Sequence, residues 1–359
     1  MTRAPGAASR RAGIVGTGLI GGSIGLALRR RGWHVSGDDR DPARASRALE
    51  LGALDRIGLD PTADITFLAT PVQAVADAAR EILAAGSGIV TDVGSVKASI
   101  VSSVADPRFL GGHPMAGSEQ EGVEGADPDL FAGAVWVLTP TAATSDATFA
   151  LVRSVVTDLG ADVVALAPDH HDALVAVVSH VPHLTAAALM HLADDKANEH
   201  RALLRLAAGG FRDMTRIAAG HPGIWPDICA ENSTAIVEVL GTLIESMETL
   251  RDVVEQGDRA GLLAVLERAR AARVNLPTRV VHPQDMCEVR IPVPDRPGVL
   301  AEVTTLAGTL DVNIADLEIA HSSEGDQGVL ILLVDEGAAE RLRRGLVEHG
   351  FRPAVLPLE

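Results

Sequence analysis

One histidine in this sequence has the surroundings of a working proton acceptor. His113 sits in Gly111-Gly112-His113-Pro114-Met115-Ala116-Gly117-Ser118-Glu119. Imidazole is the side chain whose ordinary pKa lies near neutrality, and a glycine-rich turn puts little bulk between the ring and a ligand. Ser95, in Asp92-Val93-Gly94-Ser95-Val96-Lys97, supplies a hydroxyl that can donate to the ring or orient it. An isolated histidine is more often structural. The position of His113 at the end of an apolar run, in a glycine-rich turn, shifts the reading towards chemistry.

A second chemistry is written in Gly16-Thr17-Gly18-Leu19-Ile20-Gly21, which fits G-x-G-x-x-G. Glycines there allow a tight turn, and the backbone of Gly18, Leu19 and Ile20 can approach a pyrophosphate at a helix N-terminus. The motif alone is weak. Its context is a preceding strand, a following helix and an acid at the end of the next strand, in Gly37-Asp38-Asp39. Asp39 stands where a carboxylate would accept from ribose hydroxyls and repel a 2′-phosphate, which favours NAD over NADP. Arg40 next door weakens that preference, and Asp38 is an alternative acceptor. Thr70-Pro71 closes the third strand, either over the cofactor or as a plain strand end.

These residues need a scaffold, and three textures follow one another along the chain. From 11 to 171, short apolar runs alternate with helical segments, which predicts a doubly wound parallel sheet of the Rossmann type. From 172 to 280 the strand signal vanishes and Ala/Leu/Val-rich helical segments take over, apolar nearly all round, as in a helical domain that buries a dimer interface. From 284 to 359 the pattern reads βαββαβ, a ferredoxin-like unit. Asn275-Leu276-Pro277 and His282-Pro283 mark the linker.

Composition narrows the function classes. The 359 residues are 47% hydrophobic and 22% charged, with a net charge of -17. That balance argues against nucleic acid or an anionic membrane as partner. It also means that an anionic substrate needs a few converging positive groups. Cys229 and Cys287 are far apart and lack ligand-spaced neighbours, so neither a disulfide framework nor a metal site is expected, and a reducing cytoplasm fits. His170-His171 is adjacent in sequence and unsuited to one ion; it reads as a domain junction. No signal peptide or membrane-spanning window is expected.

Gly16–Arg29, Asp92–Lys97, Gly111–Glu119, Ser179–His183 (SHVPH) and Gly209–Ala218 (GGFRDMTRIA) together resemble the prephenate/arogenate dehydrogenase family, in the family's order. Residues 286–359, with Asp295-Arg296-Pro297-Gly298 and Asn313-Ile314, resemble an ACT domain. The resemblance implies NAD-dependent oxidative decarboxylation of prephenate to 4-hydroxyphenylpyruvate, in a homodimer. His113 is then similar to the catalytic base and Ser95 to its positioning hydroxyl. Arg216 resembles the arginine that binds a substrate carboxylate. His180, His183 and Trp225 resemble pocket residues, Ser118 and Glu119 rim positions, and Arg212 with Asp213 gating partners. Gly298, Asn313 and Ile314 mark where an amino-acid effector such as tyrosine would touch the C-terminal unit.

Plainer readings stand beside these. In them Arg216 pairs only with a neighbouring acid, Trp225 is core packing, Glu119 a solvated charge and Lys97 a helix start. Another hydroxyacid dehydrogenase of Rossmann-plus-helical layout is disfavoured by the lack of a lysine in Asp172–Leu192, and two further rival functions remain. One is arogenate dehydrogenase, against which His183 in place of an acid in the pocket speaks. The other is a catalytically dead, amino-acid-sensing protein, against which the intact Gly16–Gly21, Ser95, His113 and Arg216 speak.

Overall fold

The computed structural model describes residues 10–118, 120, 122–199, 203–275, 286–294, 296–321 and 327–357. The chain divides into two compact units, Met1–Glu267 and Arg268–Glu359. The first opens with β1 (Arg11–Val15), α1 (Leu19–Arg30), β2 (His34–Asp38), α2 (Pro42–Glu50), β3 (Arg56–Ile57), β4 (Ile65–Leu68) and α3 (Val72–Ala85). It continues with β5 (Ile89–Asp92), α4 (Ala98–Ser103), β6 (Phe109–Pro114), β7 (Val135–Thr139), α5 (Asp146–Asp158) and β8 (Asp162–Ala165). These strands form one sheet in the order β3-β2-β1-β4-β5-β6-β7-β8.

The strands read as continuous apolar runs because helices cover both faces; every residue of β4 and β6 is buried. Trp136, Phe67, Phe131 and Ile14 anchor the core on one face, and Val75, Ile100 and Phe109 contribute to a second cluster. The sheet departs from the all-parallel expectation at one pair, since β6 and β7 run antiparallel. The reason lies in the connection. A parallel pair needs a crossover helix, and the described residues between β6 and β7 carry only a 3-10 turn, Val123–Gly125.

Helices follow β8. α6 (Pro168–Val175) runs through a π-turn, Ala176–His180, into α7 (Val181–Glu199). The cause is Pro182. In a regular helix its ring would strike the carbonyl four residues back and it has no N–H to donate. The widened turn accommodates it, and Val181 N–H bonds Ala176 O. Then come α8 (Gly209–Thr215), α9 (Trp225–Glu231), α10 (Ser233–Glu255) and α11 (Arg259–Val274). On α10, Val237, Ile244, Met247 and Val254 are exposed in the single chain.

One expectation fails here. The helix over Pro168–Ala197, mean hydropathy 1.6, is long and apolar enough to cross a bilayer, although no such window was expected. Its length comes from the unbroken passage through the π-turn. Its buried His171, Asp172 and His180 are hydrogen-bonded inside the protein.

The second unit has β9 (Met286–Pro294), α12 (Val299–Thr309), β10 (Ile314–His321), β11 (Gln327–Asp335), α13 (Glu336–Glu348) and β12 (Ala354–Pro357). Its antiparallel sheet has the order β10-β11-β9-β12. Cys287, Val289, Ile291 and Val293 alternate inwards along β9 and meet Val303, Leu342 and Leu346. Asp335 caps α13 by accepting from Gly337 N at 2.9 Å.

Candidate active site

The β1–α1 turn is built to take a dinucleotide. Gly16 has φ +88°, and a Cβ there would collide with the Ala69 carbonyl oxygen. A Cβ on Gly21 would collide with the Gly16 carbonyl oxygen. Gly18 differs: nothing lies within 4 Å of where its Cβ would be. Two glycines therefore close the turn, and the third leaves open space in front of α1. Gly18 is the N-cap of α1 and makes no side-chain capping bond, so the first backbone N–H groups of that twelve-residue helix face this space.

Asp39 flanks the turn. Its Oδ2 accepts from Thr17 N at 2.8 Å and Thr17 Oγ1 at 3.2 Å, and its Oδ1 accepts from Asp41 N. Asp38 is exposed and accepts from Asp39 N. Thr70 Oγ1, after β4, is buried and has no hydrogen-bond partner among the described residues, while Pro71 caps α3. An open glycine, uncapped N–H groups, a tethered carboxylate and an orphan hydroxyl fit a bound dinucleotide.

His113 lies buried near the end of β6. Its Nδ1 is 2.8 Å from His171 Nε2, and His171 Nδ1 is 2.7 Å from Asp172 Oδ1. Asp172 is pinned by the backbone, accepting from Lys97 N at 2.8 Å and Ala98 N at 2.9 Å. Burial pushes the His113 pKa well below its ordinary value, and the charges available to His171, Lys97 and His180 push the same way. His113 is therefore neutral at physiological pH.

Beneath it lies a fully buried ion pair. Lys97 Nζ bonds Asp92 Oδ2 and donates to Gly112 O at 2.8 Å. Asp92 also accepts from Gly94 N at 2.8 Å and Gly112 N at 3.1 Å. The pair thus ties the end of β5 to the backbone residue preceding His113. Burial lowers the Lys97 pKa, against the opposing pull of Asp92 and Asp172.

The π-turn decides which helix residues join this group. A helix turns by roughly 100° per residue, so Asp172 and His180 would stand about 80° apart in a regular helix. The extra residue brings them to within about 20°. Both then meet Asn232, whose Nδ2 donates to Asp172 O at 2.8 Å and lies 3.2 Å from His180 Nδ1. Burial lowers the His180 pKa to about 4; Asp172 opposes that shift and His171 assists it. One turn on, His183 stacks on Trp225 with ring centroids 3.7 Å apart and planes at 14°. Trp225 also packs against the cluster that includes Val75 and Ile228. Burial lowers the His183 pKa.

Arg216 begins a 3-10 turn, Arg216–Ala219, packed against α7. It is exposed in the single chain. Arg212 is exposed and its Nε donates to Ala207 O at 3.2 Å; Asp213 is exposed too. Ser118 is exposed and its Oγ accepts from Gln120 N. Glu119 lies outside the described residues. Ser95 is half-buried on the loop before α4, and the hydrogen-bond partner seen at His113 Nδ1 is His171.

His171 corrects the sequence reading, which placed it at a mere domain junction. The first turn of α6 aims the His171 ring back to His113 of β6. Lys97 is likewise more than a helix start. Asp172 and Asn232 carried no signal of their own. The one available hint was an Asp directly after a His in a stretch that is otherwise apolar.

Two family models match the chain: the prephenate dehydrogenase nucleotide-binding domain over residues 24–165 and the prephenate dehydrogenase dimerization domain over residues 167–268. A prephenate dehydrogenase of Bacillus subtilis is 34% identical over 337 residues, spanning 88% of this chain and 90% of its own. The structure of an Aquifex aeolicus prephenate dehydrogenase, in complex with hydroxyphenyl propionate and NAD+, superposes with a TM-score of 0.71 at 32% identity. It covers 76% of this chain and 99% of its own. A Synechocystis arogenate dehydrogenase gives a TM-score of 0.64 at 33% identity, over 73% and 98% of the two chains. With a nucleotide cradle and a buried neutral histidine on one sheet and this likeness along both domains, the chain belongs to the prephenate dehydrogenase family.

Proposed function

We propose that this enzyme carries out the NAD-dependent oxidative decarboxylation of prephenate to 4-hydroxyphenylpyruvate, a step of tyrosine biosynthesis. The observation that carries this reading is a buried, neutral His113 near the carboxyl end of β6, on the sheet whose β1–α1 turn cradles a dinucleotide. The Aquifex relative is in complex with hydroxyphenyl propionate and NAD+, and that phenol with a carboxylate arm matches the shape of the proposed product.

NAD, held at the Gly16–Gly21 turn, would supply the hydride acceptor for C4 of the dienol. His113 accepts the proton of the C4 hydroxyl, and Ser95 orients that oxygen. Arg216 binds a substrate carboxylate, supplying the local positive charge that a chain of net charge -17 otherwise lacks. His180, His183 and Trp225 line the ring pocket, with Ser118 at its rim and Arg212 as a gating partner. Loss of carbon dioxide makes the ring aromatic, so no metal or covalent nucleophile is called for. Asp39 selects NAD, with Gly16, Gly18, Leu19, Ile20, Gly21, Thr70 and Pro71 around it. A histidine at 183 favours a keto acid side chain over the ammonium of arogenate.

The exposed apolar residues of α10 and the match to a dimerization domain support a homodimer formed through the helical domain. A second chain there can also cover Arg216. The C-terminal βαββαβ unit is read as an ACT domain that takes tyrosine or another aromatic amino acid. Gly298, at φ +90° with open space around it, stands at the start of α12, and exposed Asn313 and half-buried Ile314 lead into β10. Free Cys229 and Cys287 suit a cytoplasmic setting.

The test is a spectrophotometric assay of NAD and NADP against prephenate and arogenate, with and without tyrosine. NADH is expected from prephenate. Arg216→Ala should raise KM for prephenate about tenfold or more with kcat little changed. Asn313→Ala should weaken inhibition by tyrosine. No reduced cofactor from either dienol would overturn the assignment.

A further inference from the structure

We propose that His171 and Asp172 form a relay that holds His113 in the tautomer with a free Nε2 and then takes over the proton His113 has accepted. This rests on the function proposed above, since it concerns the base of that reaction.

The chain of partners leaves one assignment. Asp172 accepts backbone N–H bonds at both oxygens, from Lys97 N and Ala98 N, as a carboxylate does. The His171 nitrogen facing Asp172 Oδ1 must therefore donate, which puts the proton of His171 on Nδ1. In the neutral ring, Nε2 is then an acceptor. It faces His113 Nδ1 at 2.8 Å, so His113 carries its proton on Nδ1. The lone pair of His113 is left on Nε2, the atom free to meet a substrate hydroxyl. A backbone-anchored carboxylate thus sets the tautomer of a ring two links away.

The same chain says where the proton goes. In the reaction the C4 O–H bond breaks, its proton bonds to His113 Nε2, and the C4–H electron pair leaves with its hydrogen as hydride to the nicotinamide. His113 then carries protons on both nitrogens. Its Nδ1–H bond can break as a His171 Nε2–H bond forms, which moves the positive charge onto His171. There it lies 2.7 Å from Asp172 Oδ1, a charge-assisted pair in a dry site. On His113 the charge would meet Lys97 instead, and every influence on that ring disfavours protonation. The titratable groups facing the relay are Asp92 from β5, Lys97 from the loop before α4, and His180 from the π-turn, with Asn232 holding the Asp172 backbone. When carbon dioxide is lost, its C–C electron pair makes the ring aromatic and leaves a phenolate oxygen, to which the proton returns by the same path.

The test combines a spectrum with a rate profile. Imidazole ¹⁵N spectra of the wild-type enzyme–NAD complex without substrate, with the rings assigned through their nuclear Overhauser contacts, should show both rings protonated at Nδ1. His171→Gln should lower kcat by about tenfold or more. It should also move the acidic limb of the kcat–pH profile by more than about half a unit while NAD affinity stays within about twofold. A purely structural His171 would leave the limb in place. A proton on His113 Nε2 in the spectrum, or a wild-type pH profile in His171→Gln, would overturn the relay. The tautomer is read on the wild-type protein without turnover. It therefore holds even where the variant fails to fold, and it separates failure of the relay from failure of the substrate assignment.

Discussion

Lys97 and Asp92 form an ion pair with no solvent exposure on either side chain, and the Lys97 ammonium also donates to the carbonyl of Gly112, one residue before His113. Removing one partner of such a pair strands a buried charge. Lys97→Met should cost roughly 3–5 kcal/mol in chemical denaturation. Adding Asp92→Asn should recover part of that loss, because the stranded charge disappears. Simple additivity of the two substitutions would show that the pair is not a unit.

The three glycines of the nucleotide turn should separate by effect. Gly21→Ala drives a methyl into the Gly16 carbonyl and should lower the melting temperature. Gly18→Ala meets no protein atom, at φ -75° and ψ -155° that any residue tolerates. It should leave the melting temperature unchanged and weaken NAD binding about tenfold, because the added methyl occupies the space a pyrophosphate needs. Calorimetric titration with NAD beside thermal melts reads both. A Gly18→Ala protein that binds NAD normally would remove the pyrophosphate from this turn.

Buried histidines give the fold a pH dependence of definite sign. His180, with its pKa lowered to about 4, is neutral in the folded state, while in the unfolded chain it titrates near its ordinary 6.5. The unfolded state binds more protons between those values. Stability is therefore complete above about 6.5 and falls as pH drops towards about 4, by on the order of 2–3 kcal/mol from this group. Urea midpoints across that range should fall with acid, and less steeply in His180→Asn. The lowered carboxyl of Asp60, at about 2 and held by Thr62 and Arg11, acts only below that window. Equal slopes in the two proteins would refute the assignment to His180.

Local chemistry in the sequence already carried much of this protein. The glycine spacing of Gly16–Gly21 prescribes a turn that only glycines can make, and Gly16 at φ +88° obeys it. Apolar runs buried on both faces announce parallel strands, and the inward alternation of Cys287, Val289, Ile291 and Val293 announces a sheet with one covered face. Pro182 between two histidines is a visible cause of the widened turn, since its missing N–H follows from covalent structure alone.

Other features depend on partners distant in sequence, and only tertiary structure could supply them. The reversal of β6 against β7 depends on how a 20-residue connection folds back, which no local pattern encodes. His171 reaches His113 across 58 residues, and Asp172 receives its backbone donors from 75 and 74 residues away. The roughly 100° rotation at the π-turn then brings Asp172 and His180 to one Asn232. Sequence determined which residues are able to do chemistry. Folding decided which of them meet in a dry interior, where hydrogen-bond distances and missing water set their protonation.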